Sequence, residues 1–117
     1  MNLETIAREL ELEDLTPGLA GADAVEVAAG YASDLLSDVL ANAPEGGLLV
    51  TLQVHLNVIA VASHAELTAV VFTSGRRPEP DVVEKALAED LHLYVTNADT
   101  FDVVGRLYAH GVKGRGA

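Results

Sequence analysis

The stretch Gly46–Gly75, GGLLVTLQVHLNVIAVASHAELTAVVFTSG, decides how this chain folds. Val50, Leu52, Val54, Leu56, Val58, Ala60 and Ala62 alternate with Thr51, Gln53, His55, Asn57, Ile59 and Val61. Taken literally, that alternation is one strand from Val50 to Ala62, about twice the ordinary length. A break at the polar residues His55–Asn57 gives ordinary elements instead. They are a strand over Leu48–Gln53 and a buried helix from Asn57 to about Ala65, with Asn57 as its cap. After Asn57 the residues are apolar on every side, so periodicity alone leaves helix and strand both open. Leu67–Thr73, β-branched and uncharged, reads as a buried strand of the kind found inside parallel sheets.

The flanks extend this pattern. Downstream, Ser74–Pro80 is a loop, and Pro80 opens a helix to about Asp90 with Val82, Val83, Ala86 and Leu87 as its core stripe. Leu91–Thr96 is a further strand. Asp99 caps a last helix with Phe101, Val104, Leu107 and Tyr108 inward, ended by Gly111. Upstream, Asn2 caps a short helix carrying Leu3, Ile6, Ala7 and Leu10, and an edge strand is expected within Glu9–Leu15. Ala24–Ala29 alternates as a short strand ending at Gly30. Ser33 is the expected cap of a helix whose buried stripe is Leu35, Leu36, Val39 and Leu40, with Asp34 and Asp38 on its solvated face. Strand–helix alternation calls for a mostly parallel sheet with right-handed crossovers and helices on both faces. We expect one domain over residues 1–111 and a flexible tail over 112–117.

Composition narrows function by exclusion. The chain has 117 residues, half of them hydrophobic, which is enough for one core without staples. It has no cysteine, so disulfides and thiolate zinc sites are impossible. The formal net charge of −11 disfavours nucleic acid and anionic membrane surfaces as partners. Acidic Glu4, Glu9 and Glu11 near the start argue against a signal peptide, and a cytoplasmic location is expected. No GxxxxGK[ST] phosphate loop, GxGxxG turn, GxSxG elbow or HExxH pair occurs. The four histidines show no metal-ligand spacing. We therefore expect no catalytic residues, metal or cofactor.

Two polar clusters remain, each at the carboxyl end of an expected parallel strand, where ligands collect in α/β folds. Gln53, His55 and Asn57 form one; Thr73, Ser74 and Gly75 form the other. They offer imidazole, amide, hydroxyl and backbone N–H groups to an anion or nucleotide, with Arg76 and Arg77 adding charge. The same residue types also serve routinely as helix caps and loop ties.

Three segments resemble DRTGG domains. Gly30–Val39, GYASDLLSDV, resembles their glycine-led helix start. Val50–Ala62 is similar to their strand–loop–helix core, and Thr73–Pro78 to their Thr-Gly-Gly loop followed by proline. The last helix, Asp99–Leu107, is also similar, so the resemblance runs from about Leu10 to Gly111. It implies a three-layer α/β/α domain like the N-terminal domain of HPr kinase/phosphorylase, and it selects the helix after Asn57. It also implies an accessory module that dimerises, senses a ligand, or docks on a separately encoded enzyme. The chain departs from the family pattern with Val54-His55 in place of Asp-Arg and Ser74 in place of a glycine. The implied crevice is lined by Gly30, Gln53, His55, Asn57, Thr73, Ser74 and Gly75. A protein-interaction module with no small-molecule ligand is the alternative.

Overall fold

A computed structural model describes residues 1–116. Its elements in chain order are α1 (Leu3–Glu9), β1 (Glu13–Asp14), β2 (Gly30–Ala32), α2 (Leu36–Asn42), β3 (Leu48–Thr51), α3 (Asn57–His64), β4 (Ala69–Phe72), α4 (Pro80–Ala88), β5 (His92–Val95) and α5 (Thr100–Ala109). The strands form one five-stranded sheet in the order β1-β5-β4-β3-β2. Neighbours from β2 to β5 are parallel, and only β1 runs antiparallel, at the edge beside β5.

Each crossover from β2 to β5 steps to the next strand in the same direction. With one handedness, such steps put every crossover helix on one face. That face is packed by Val39 of α2, Val58, Ile59 and Ala62 of α3, and Val82 and Ala86 of α4, against Leu49, Val70, Phe72, Leu93 and Val95. The opposite face takes Leu3 and Ile6 of α1 and Val103 and Leu107 of α5 against Leu48, Val50, Val71 and Tyr94. The result is three layers. β3, β4 and β5 are buried on both sides throughout, which is why their sequences are apolar runs and not alternations.

The chain breaks at His55–Asn57 as expected, and α3 fills the gap between β3 and β4. Val58, Ile59 and Ala62 are buried and Ala60 is exposed, a helical pattern and not a two-residue one. Asn2 caps α1 by accepting from Thr5 N at 2.8 Å, and Asp99 caps α5 by accepting from Asp102 N at 3.0 Å.

Several expectations need correction. Ala24–Ala29 is not a sheet strand: Leu3 N donates to Val25 O and Val27 N to Met1 O at the chain start, and only its last two residues approach β3, with Ala28 N donating to Gly46 O and Leu48 N to Ala29 O. The strand itself is Gly30–Ala32, whose partner is Leu48–Val50. α2 begins later than Ser33, whose hydroxyl instead accepts from Leu35 N at 3.2 Å. Leu35 and Leu40 consequently point outward, leaving Val39 as the buried residue of α2. On α4, Leu87 is exposed. The largest shift is on α5, where Phe101 is 86% exposed and Tyr108 51%, while Val103 and Leu107 carry the burial. α5 has two apolar stripes one residue apart; of the expected inward set only Leu107 is buried, Phe101, Val104 and Tyr108 lie on the outer stripe, and Val103 was missed.

Residues 112 and 113, assigned above to the tail, are held by the fold. Val112 is buried in the α1/α5 core, and Lys113 O accepts from Gly30 N at 2.8 Å. These two residues thereby shield the free edge of β2, a common need of edge strands. Ala117 lies outside the described residues.

Candidate functional site

The carboxyl ends of the four parallel strands share one edge of the sheet, and the loops after them make its surface. After β3, the turn Leu52–Leu56 is fastened sideways to the β2–α2 loop. One Asp34 carboxylate oxygen accepts from Leu52 N at 2.7 Å and from Thr51 Oγ1 at 3.0 Å. Gln53 Nε2 donates to Asp34 O at 2.9 Å, and Gln53 N donates to Thr51 Oγ1. Val54 packs under α2–α4. Asp34 is exposed, as expected, but it lies outside α2 and acts as a clasp between two loops. Replacing it with alanine leaves Leu52 N and the Thr51 hydroxyl without their partner. We expect a loss of about 1.5 kcal/mol in equilibrium urea unfolding; an unchanged midpoint would show that water substitutes freely.

Asn57 does not cap α3 but is its first residue, and the side chain that meets its N–H is that of His55. The imidazole Nδ1 accepts from Asn57 N at 3.0 Å, which places the ring proton of the neutral form on the outward Nε2. His55, Asn57 and the intervening Leu56 are exposed.

After β4, the turn Thr73–Gly75 leans the other way, onto the β5–α5 loop. Ser74 N donates to Ala98 O and Gly75 N to Thr96 O, both at 2.8 Å; Arg76 N closes on Thr73 O at 3.1 Å. The expectation that this turn presents free backbone N–H groups to an anion is corrected: all three are taken. Ser74 and Gly75 have φ of 58° and 68°, and a Cβ on Gly75 would lie 2.9 Å from Asn97 Oδ1, so glycine fits here for two reasons. Thr73 is fully buried, its hydroxyl 2.7 Å from Thr100 Oγ1. The Ser74 side chain is exposed.

The seven residues therefore fall into three groups. Gln53, His55 and Asn57 share the first turn; Thr73, Ser74 and Gly75 share the second, bound to a different neighbour. Gly30 sits at the amino end of its strand, opposite Leu48, and so at the other end of the sheet. Its surroundings are Val112 and Lys113, in a separate apolar depression.

A cavity of about 400 Å³ does open at the carboxyl edge, one strand further along, beside β5. Leu10, Glu11, Glu13, Arg77, Thr96, Asn97, Ala98 and Arg106 line it with Val95. Arg77 grips the Glu13 carboxylate with both Nη atoms, and this hydrogen-bonded pairing holds the Glu13 carboxyl below its ordinary pKa and raises that of Arg77. Arg106 donates to Glu9 O at 3.0 Å and Leu10 O at 3.4 Å. Sequence reasoning named Arg77 only as auxiliary charge and missed Asn97 and Arg106. The rule that selected the other two strand ends applies equally to Thr96-Asn97-Ala98, at the end of β5. Among the described residues no cluster of three or more His, Asp or Glu is placed to hold a metal ion, and no helix is long and apolar enough to cross a membrane.

The class defined so far is a three-layer α/β/α domain with a mostly parallel sheet and a polar cavity at its carboxyl edge. No protein-family model matches the sequence, and no curated protein does. Among solved structures, the chain is similar to the CBS and DRTGG domains of the regulatory region of Clostridium perfringens pyrophosphatase, complexed with its activator diadenosine tetraphosphate. The TM-score is 0.70 at 15% sequence identity, covering 96% of this chain and 47% of that one. At that identity the likeness is one of fold: the chain has a DRTGG-like α/β fold and spans about half the length of the structure it matches.

Proposed function

We propose that this chain is a non-catalytic regulatory domain that senses a phosphorylated small molecule, a nucleotide in the first instance, at the carboxyl edge of its sheet. The observation that carries this reading is the convergence of Arg77, Arg106 and Asn97 on one cavity. A chain of net charge −11 has only seven basic residues, and two of them meet there. A phosphate entering the cavity competes with Glu13 for the Arg77 fork, which binds either group bidentately. Support from outside the chain is the shared fold with a regulatory region that binds a nucleotide activator. His55, Asn57 and Ser74, exposed on the same edge, are the groups available to a ligand that extends beyond the cavity. Such a module belongs in the cytoplasm, with the nucleotide pool.

Thermal-shift titration with AMP, ATP, diadenosine tetraphosphate and inorganic phosphate tests the reading. A ligand at about a hundred times its Kd adds ~2.7 kcal/mol to the native state. Arg77→Ala should abolish the shift and Glu13→Gln should strengthen binding. Loss of the shift in His55→Ala but not in Arg77→Ala would move the site to the first turn; no shift with any probe overturns the proposal. A second reading, an association module with no small-molecule ligand, draws on the uncovered apolar face of α5. A homodimer or a separately encoded enzyme is the partner it calls for.

A further inference from the structure

Both arginines of the carboxyl-edge cavity are tied to one short stretch of chain. Arg77 donates from Nη1 and Nη2 to the Glu13 carboxylate, and Arg106 from the same two atoms to Leu10 O and Glu9 O. The other charged groups lining the cavity are Glu11 and Glu13. A phosphate entering the closed cavity would meet two carboxylates, and guanidinium groups whose Nη atoms are already engaged. We propose that binding here is an exchange, a step that rests on the ligand reading above. The phosphate takes Arg77 and Arg106, and the stretch Glu11–Leu15, with edge strand β1 inside it, lifts from β5.

The stretch is built to move as a unit. It runs between two buried moorings, Leu10 at the end of α1 and Thr16, whose Oγ1 accepts from Leu93 N at 3.1 Å. Between them Glu11, Glu13 and Asp14 are exposed, and Leu12 and Leu15 are only half-buried. The sheet pairing is two residues long, Glu13 against Val95 and Asp14 against Tyr94, extended by Leu15 N donating to Leu93 O at 2.9 Å. Glu11 turns the chain with φ of 54°, a left-handed conformation that strains a residue with a side chain. Segments with few buried side chains and exposed backbone bonds open far below the cost of global unfolding.

Glu13 is therefore a tethered stand-in for the ligand's anion. A ligand shifts an equilibrium only through contacts that differ between the two states. Here the arginine Nη groups turn to a phosphate only once the stretch has let go. The Arg77–Glu13 pair can yield, because both side chains are more than half exposed and such pairs contribute little in water. A ligand carboxylate would merely replace Glu13 like for like, without the advantage of the tether. A phosphate carries greater charge and three acceptor oxygens, enough to engage both arginines. Because the departing anion belongs to the chain, occupancy becomes a structural change: Leu93 O loses its partner and the edge of β5 is bared.

Amide hydrogen exchange of the full chain, followed by NMR with saturating ATP, pyrophosphate or inorganic phosphate, tests the exchange of partners. A bound probe should speed exchange at the Leu15 amide by at least about tenfold, while the amides of β3 and β4 slow or stay as they are. A ligand seated beside a closed stretch does the opposite, since it ties the segment down. Without ligand, Glu13→Gln should also speed exchange at Leu15, by weakening the grip of Arg77. Glu11→Gln removes a carboxylate from the same cavity but none of these ties, so Leu15 should exchange at the wild-type rate. A probe that binds by thermal shift while Leu15 exchange is unchanged or slowed overturns the coupling and leaves the ligand reading standing. Wild-type exchange at Leu15 in Glu13→Gln overturns it as well. Absence of binding by every probe overturns both.

Discussion

Ile59→Ala should lower the unfolding free energy by about 2–5 kcal/mol, whereas Ala60→Lys, one residue on, should change it by less than about 0.5 kcal/mol. Ile59 is fully buried in the first turn of α3, within the core between the helices and the sheet, and its truncation leaves a cavity there. Ala60 faces solvent. The contrast is diagnostic because a continuous strand would reverse it. On a two-residue period Ala60 joins Val58 and Ala62 on one face and Ile59 turns to the other. Guanidinium unfolding of the two variants decides: a costly lysine and a cheap alanine would remove α3 from the fold.

That same segment marks how far the sequence could be read. The layer architecture was legible because β3, β4 and β5 are buried on both faces and so appear as uncharged runs. Pro80, Asn2 and Asp99 fixed three helix starts by local chemistry that needs no tertiary context. What could not be read depends on which neighbour a residue meets. The pattern at Ala24–Ala29 is extended, but Val25–Val27 pair with the chain start and only Ala28 and Ala29 reach the beginning of β3. Phe101 and Val103 belong to adjacent stripes of equal apolarity, and only docking against β2 and β3 chooses between them. The site failed for a related reason. Residue types at strand ends announce hydrogen-bonding capacity, yet Gln53 and the Ser74 and Gly75 backbone spend it on the loops beside them, Thr73 on Thr100 at the start of α5, and Arg76 N on its own turn. Whether a polar group is free is decided by neighbours distant in sequence, such as Asp34 for Gln53 or Ala98 for Ser74. Arg77 and Arg106 meet across a cavity for the same reason, and no local motif joins them.

Phe72→Ala should be the most damaging single truncation, at about 3–5 kcal/mol of a total that for domains of this size is about 5–15 kcal/mol. Phe72 is fully buried near the centre of the sheet, paired in register with Thr51 on one side and Val95 on the other, and covered by α3 and α4. The chain's other phenylalanine, Phe101, is the control, since composition treats the two alike and the fold does not. In dilute solution Phe101→Ala should leave the unfolding midpoint where it was, because its ring is 86% exposed. If the apolar face of α5 associates with a second copy, as the second reading proposes, raising the protein concentration should separate wild type from Phe101→Ala by mass action. The Phe72→Ala deficit should persist at every concentration, since the cavity lies within one chain. If the Phe101→Ala deficit were equally constant, its ring would be contributing within the monomer, and the uncovered face of α5 would need a different account.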